Sequence, residues 1–301
     1  MIPDGPGPRD ADPAYLAACR DAGLLVDIGA GHCVLGATRD PLSGRDFCLV
    51  EYAHPAPASH EAAEALRRHA AAVHPGTSGV LLRTAPDVRL CAPWTPHLTY
   101  LRRDPPDRHS GGDTASGSPG SDTASRSSSG DTASRFSGGV TVVPAAPEHQ
   151  GRIRSWIADA FAAGAAQQGT TARREDAEAQ ADTVMATPGR FTLVAVIGAE
   201  PAGHATLLPF TDEVTATAYL ELFDTLVAAP FDVRAVTGLL VEASLARAAR
   251  AGLPLLGNVV HGGATGVPEH GARIVASLHR RGWRTEHVYW HAPTPTDTPG
   301  N

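Results

Sequence analysis

The chain has 301 residues, a formal net charge of −7, and no Lys, so every fixed side-chain cation is Arg. The acid excess argues against gripping nucleic acid through phosphate neutralisation. The absence of Lys excludes a P-loop lysine, a pyridoxal-phosphate Schiff base and a catalytic lysine.

No run approaches the ~20 apolar residues that span a bilayer, and no basic-then-apolar leader is present. A cytoplasmic protein off the membrane is expected. Cys19, Cys33, Cys48 and Cys91 fit neither a zinc pattern nor a disulfide scaffold. They read as buried structural thiols, and no metal is expected.

In chain order, residues 1–12 read as frayed and 13–22 as a short helix. Strands are expected at 24–28, 32–37 and 47–53, a helix at 59–73, and strands at 79–84 and 97–102. From 104 to 139 DTAS recurs at Asp113, Asp122 and Asp131 among Ser and Gly. Such a segment buries too little apolar surface to offset its ordering entropy, so it reads as a flexible tether.

Beyond it, 140–144 reads as a strand and 148–163 as a helix with Ile153, Trp156, Ile157, Ala160 and Phe161 on one face. A polar helix follows at 173–186, then a hairpin over 191–210 turning at 198–201. Residues 219–227 read as a strand leading through a turn at Pro230 into a helix stopped by Gly252. Leu239, Leu240 and Ala243, with Ala246 or Arg247, are its expected apolar face. A strand feeding a helix through a tight turn leaves backbone N–H groups free for an anion. A strand at 255–260, a helix at 272–281 and a strand at 286–291 complete the chain, with a disordered tail over 293–301.

The fold class is thus a mixed α/β (α+β) sheet. A small α+β domain spans 1–104, a disordered linker 105–139, and a larger domain 140–292. Residues 24–37 (LLVDIGAGHCVLGA) offer one decoy, since they imitate the glycine-rich loop of S-adenosylmethionine methyltransferases. Such a loop must open a helix. Here Gly31 leads into β-formers and then turn residues, which points to tight turns between strands.

The element order of the second domain resembles the GNAT N-acetyltransferase superfamily. The hairpin with Gly203-His204-Ala205, the strand end at Leu226, Val227 and Ala228 before Pro230, and the closing Leu278-His279-Arg280-Arg281-Gly282-Trp283 carry the resemblance. It implies that acetyl-CoA, or another acyl-CoA, binds as co-substrate along Leu226, Val227 and Ala228. Its pyrophosphate would sit on the backbone from Arg234 through Ala235, Val236 and Thr237 to Gly238, and Asn258 would reach the pantetheine. The family's basic residue and paired glycines are missing from this turn, and Asp232 stands beside it.

By the same resemblance Glu221 or Asp224 is the general base, and His279 takes the place of the residue that protonates the thiolate. Glu221 and Asp224, three apart on a strand, are expected on opposite faces. The first domain ends with Trp94, His97 and Tyr100 and the second with Trp283, His287 and Tyr289, as though the first were a degenerate second GNAT-like lobe. The expected function is acyl-CoA-dependent N-acyl transfer to a small-molecule amine, with no nucleic-acid or membrane partner. The two domains should pack on each other, and a homodimer is allowed. The alternatives are a non-catalytic acyl-CoA-binding or interaction protein and an S-adenosylmethionine-binding protein.

Overall fold

The computed structural model describes residues 11–29, 31–57, 59–105, 134–135, 139–262 and 268–295. Asp12 accepts from the Ala14 N–H and starts α1 (Pro13–Asp21), whose first residue is a proline that needs no N–H partner. Strands β1 (Leu25–Ile28), β2 (Gly31–Arg39) and β3 (Asp46–His54) form a meander, and Ser59 caps α2 (His60–Val73). Strands β4 (Gly79–Thr84) and β5 (Thr95–Arg103) close the first half.

The second half has β6 (Ser134–Arg135), β7 (Val140–Pro144), α3 (Gln150–Gln167), α4 (Arg174–Ala186), β8 (Phe191–Ile197), β9 (Glu200–Asp212) and β10 (Thr217–Val227). It continues with α5 (Val233–Ala251), β11 (Leu255–Val260), α6 (Pro268–Arg280) and β12 (Arg284–Pro293). Gly252 ends α5 in the left-handed region, φ 69°, which a residue without a Cβ adopts freely. Among the described residues no helix is long and apolar enough to cross a membrane.

All strands join one sheet, in the order β1-β2-β3-β4-β12-β5-β11-β10-β9-β8-β7-β6. The centre of that order is a strand exchange. β5, from the first half, lies antiparallel between β11 and β12 of the second. β12, from the second half, lies antiparallel between β4 and β5 of the first. The boundary expected near residue 104 therefore falls at the end of a strand that is already inside the sheet of the other half.

The two halves repeat one design residue by residue. In the first, His32 pairs with His54, Cys33 with Ala53, Val34 with Tyr52 and Leu35 with Val50, so Glu51 is an extra, bulged residue. In the second, His204 pairs with Leu226, Ala205 with Thr225, Thr206 with Asp224 and Leu207 with Leu222, so Phe223 is the bulge. Where the exchanged strands meet, Thr99 faces Val288, flanked by Tyr100 against His287 and Leu98 against Tyr289. This is the pattern of a local two-fold axis, and the two halves repeat each other's strand registers.

Helices cover both faces. On one, α2 packs Ala63, Leu66 and Ala70 against Leu35, Val50 and Leu82, and α5 packs Val236 and Leu240 against Leu207 and Leu220. On the other, Ile153 and Ile157 of α3 and Ala177 and Ala181 of α4 cover Val194 and Leu208. Full burial of side chains such as Leu240 and Ile153 stabilises by about 1.5–3 kcal/mol each. The deepest face of α5 is Val236, Leu240, Ser244 and Ala248, rotated from the expected one. Ser244 fits because its hydroxyl donates to the Leu240 carbonyl at 2.8 Å.

Some expectations change. Cys91 is exposed, while Cys19, Cys33 and Cys48 are buried. Ala11 is buried and Asp12 donates its N–H to the Val214 carbonyl at 2.7 Å, so part of the segment read as frayed is anchored. Pro293 belongs to β12 and the Thr294 hydroxyl donates to the Thr77 carbonyl at 2.5 Å, so the tail starts later than 293. Ser134 and Arg135 pair with β7, inside the stretch read as a disordered linker. Apart from Ser134, the DTAS repeats lie outside the described residues. Residues 24–28 lead into the antiparallel partner β2, where a nucleotide loop would need a helix.

Candidate active site

β10 and β11 run parallel but pair at only three positions, Leu220 with Leu255, Glu221 with Leu256 and Leu222 with Gly257. Beyond them β11 continues beside β5, with Asn258 opposite Tyr100, and β10 continues beside β9. A crevice opens between the parted strands, and along it the β11-facing backbone of residues 224–227 has no strand partner among the described residues. Unpaired main-chain N–H and C=O groups are strong ligand-binding groups.

The Phe223 bulge decides what points into this crevice. Glu221 pairs with Leu208 and Asp224 with Thr206, positions two apart on β9, so both carboxylates lie on the α3/α4 face. The expectation of opposite faces counted three residues along a regular pleat, and the extra residue shifts the phase. Burial raises the Glu221 carboxyl to about 7. Tyr100, on the same face, is held neutral by burial and by the nearby Glu221.

Asp224 sits 3.2 Å from Nε2 of His204, without the angles of a hydrogen bond. His204 is 0% exposed, stacked on Trp156 at 5.5 Å and 4°, with Nδ1 3.1 Å from the Thr206 hydroxyl. The Thr225 hydroxyl, also buried, has no partner among the described residues. Phe223 meets Phe161 edge-on at 5.9 Å, and Leu42, from the β2–β3 turn of the first half, packs against the same cluster.

Leu226 and Val227 end β10, and the Ala228 N–H is spent on the Ala202 carbonyl at 2.8 Å. A cis peptide joins Ala229 to Pro230. The Asp232 carboxylate then accepts from the N–H groups of Arg234 and Ala235, at 3.0 and 3.1 Å. Those two amides were expected to cradle a pyrophosphate, and a carboxylate occupies them instead. Val236 is fully buried in the core, while Arg234 is exposed. Thr237 and Gly238 lie within the first turns of α5, half-buried. Asn258 is two residues beyond Leu256, on the same face as Glu221.

His279 is not brought to this site. It lies in the last turn of α6, with Nε2 2.9 Å from the Thr285 hydroxyl. α6 packs Val275 and Leu278 into the cluster beneath α5, on the sheet face opposite Glu221. The resemblance implied a role for His279 that its place on this layer does not support.

The first half holds a second crevice that the sequence reading passed over. β3 and β4 pair from Phe47 with Gly79 to Val50 with Leu82 and then part, as β10 and β11 do. Here the bulged residue is Glu51, and the space is a cavity of about 550 Å³. Its inner wall is an ion-pair network tying the halves together. Arg83 makes two hydrogen bonds to Asp212, at 2.9 and 2.5 Å, and approaches Nδ1 of His287 at 3.3 Å. Tyr219 donates to Glu286 at 2.7 Å, and Arg102 pairs with Glu286 at 3.2 Å. Burial opposes Asp212 ionisation, but the Arg83 hydrogen bonds and charge hold its pKa below the usual range. Burial and Arg83 hold His287 neutral. A carboxylate one step before Tyr52 on an alternating strand was the available signal for this crevice, and a regular pleat hides it.

The chain is similar to GNAT acetyltransferases. A tandem GNAT protein from the clavulanic acid biosynthesis pathway is similar over 91% of this chain and 83% of its own, at 17% identity and a TM-score of 0.46. A GNAT-family acetyltransferase from Colwellia psychrerythraea is similar over 88% of this chain and 81% of its own, at 9% identity and a TM-score of 0.45. An aminoglycoside N-acetyltransferase solved with CoA is similar over 47% of this chain and 85% of its own, at 15% identity and a TM-score of 0.33. No family model and no curated protein matches the chain.

Proposed function

We propose that the second half is an acyl-CoA-dependent N-acyltransferase acting on the amine of a small molecule. The observation that carries this is the parting of β10 and β11 beyond three pairs, with a half-buried carboxylate, Glu221, at the fork. The free edge of residues 224–227 suits an extended amide-bearing chain such as pantetheine, laid alongside as an added strand. Asn258 lines the other side. Acetyl is the acyl group of this proposal, and no metal enters the scheme.

In the reaction the amine nitrogen attacks the thioester carbon as its proton passes to Glu221, directly or through one water. The C–S bond then breaks, an amide is left, and the sulfur departs with the electron pair. A base with a pKa of about 7 suits proton abstraction near neutrality. The leaving thiolate needs no protein acid of its own, because a thiol pKa of roughly 8.5 already makes it a good leaving group. Asp224, beside His204, lies past the bulge and orients the amine by charge.

A second reading, acyl-CoA binding without turnover, is favoured by His279, which lies on the sheet face opposite Glu221 and brings no acid to the crevice. Titration calorimetry with acetyl-CoA, followed by free-thiol release across a panel of amines, separates the two. Binding with release that Glu221→Gln abolishes supports the transferase. Binding without release from any amine supports the second reading, and no binding overturns both.

A further inference from the structure

The cavity of about 550 Å³ in the first half takes no part in the reaction proposed above. Its volume lies within the roughly 300–1,000 Å³ usual for small-molecule sites. It is open for a structural reason. In the second half the bulged residue is Phe223, which meets Phe161 on the α3/α4 side of its crevice, where α3 and α4 cover the sheet. Among the described residues the first half has only the short α1 beside its bulged residue, which is a carboxylate.

The lining sets Glu51, Asp87 and Glu286 against Arg83, Arg102 and Arg284, but each guanidinium already has a carboxylate partner. Arg83 is committed to Asp212, Arg102 to Glu286 and Arg284 to Asp104. That leaves Glu51 and Asp87, which line the crevice and have no cationic partner within ion-pair distance among the described residues. Glu51 is half-buried on β3, and Asp87 is exposed just beyond β4, so they flank the crevice from its two parted strands. Glu51 accepts a hydrogen bond from the Tyr15 hydroxyl at 3.0 Å. Burial, and then Glu51 itself, push the Tyr15 phenol far up, so this neighbour orients the carboxylate without neutralising its charge.

We propose that this crevice binds a small di- or polyamine, with one ammonium on Glu51 inside and a second on Asp87 at the mouth. A partly buried carboxylate is screened by salt much less than a surface one, so the attraction persists at physiological ionic strength. The site stands apart from the acyl-transfer reading: it needs no acyl-CoA and lies on the other half of the repeat. Arg83–Asp212 and Tyr219–Glu286 connect its walls to β9 and β10, the latter carrying Glu221.

The test is calorimetric titration of the full chain with 1,5-diaminopentane, beside 1,5-pentanediol as the neutral match. The diamine binds and the diol does not. Glu51→Gln and Asp87→Asn each weaken diamine binding about tenfold, and Glu221→Gln leaves it unchanged. Equal binding of the diol, no binding of the diamine, or loss confined to Glu221→Gln overturns the proposal; the last outcome places the amine in the other crevice. Asp87 is exposed and its replacement leaves the fold intact, so it decides the matter should Glu51→Gln fail to fold. Diamine binding at Glu51 in a chain that releases no thiol from acetyl-CoA supports this site while the transferase reading falls.

Discussion

Gly31 and Gly203 hold the same post in the two halves. A Cβ on Gly31 would lie 2.3 Å from the His54 carbonyl oxygen, and one on Gly203 would lie 2.4 Å from that of Leu226. Neither glycine has a positive φ, so the need is for space and not for backbone freedom. Alanine at either site pushes apart two strands at the mouth of a crevice. Gly31→Ala and Gly203→Ala should each cost about 1–3 kcal/mol, the usual range for overpacking against atoms that cannot rotate away. Urea unfolding of each variant checks this, and similar losses from both are the expected outcome.

Glu221 gives a pH dependence with a defined sign. Its carboxyl is raised from 4.5 to about 7 by burial, so the base form accumulates only as pH rises through 7. Acyl transfer should climb with pH across that value, and Glu221→Gln should remove both the rate and the inflection. Stability runs the other way. The folded state holds this proton more tightly than the unfolded chain does, so the contribution of this group is greatest below 4.5 and falls as pH rises to 7. Glu221→Gln should therefore stabilise the protein at pH 8 relative to wild type, by up to about 3 kcal/mol if the full shift is expressed. Thermal melts at pH 5 and 8 measure the difference.

The Arg83–Asp212 pair joins the halves at a desolvated spot, with side chains 12% and 2% exposed. Removing one partner strands the other, which costs about 3–5 kcal/mol, whereas replacing both with apolar groups is often neutral. Asp212→Asn should thus be severe alone and mild in an Arg83→Met background. A double-mutant cycle by denaturant unfolding reports the coupling. Because the Asp212 pKa is lowered, the contribution of the pair is complete above the normal carboxylate range and lost as pH falls through the depressed value.

Asp232→Asn should tighten acetyl-CoA binding. The amide oxygen still caps α5, since Asn serves there as well as Asp. What disappears is a negative charge at a helix N-terminus, worth about 0.3–1 kcal/mol, or roughly two- to fivefold in Kd. An unchanged or weaker affinity by calorimetry would move the pyrophosphate away from α5.

The element order was legible because alternation, capping and stop signals agree with the packing. Gly252 ends α5 where the sequence places it, and β4 and β11 span the residues their β-branched and Leu content suggests. The misreadings have physical causes. A bulge leaves no mark in composition, so Glu221 and Asp224 were put on opposite faces. His279 and Glu221 are separated by the sheet itself, and spacing along the chain carries no layer information. Nor could the strands ending in Trp94–Tyr100 and Trp283–Tyr289 reveal their exchange, because near-equivalent strands suit either position equally well. The cavity beside Glu51 exists through what α1 is too short to cover, and missing cover has no sequence motif.

The interleaving of β5 and β12 also sets an order of events at synthesis. When the first half has left the ribosome, the strand that belongs between β4 and β5 is still nearly two hundred residues from being made. Until β12 arrives, β4 and β5 present bare edges to the cell, a state that invites pairing with another chain. Conversely, a break in the stretch between β5 and β7 should not release two working pieces: the fragments stay bound through the strands they have lent each other, and either alone is left with a gap in its sheet.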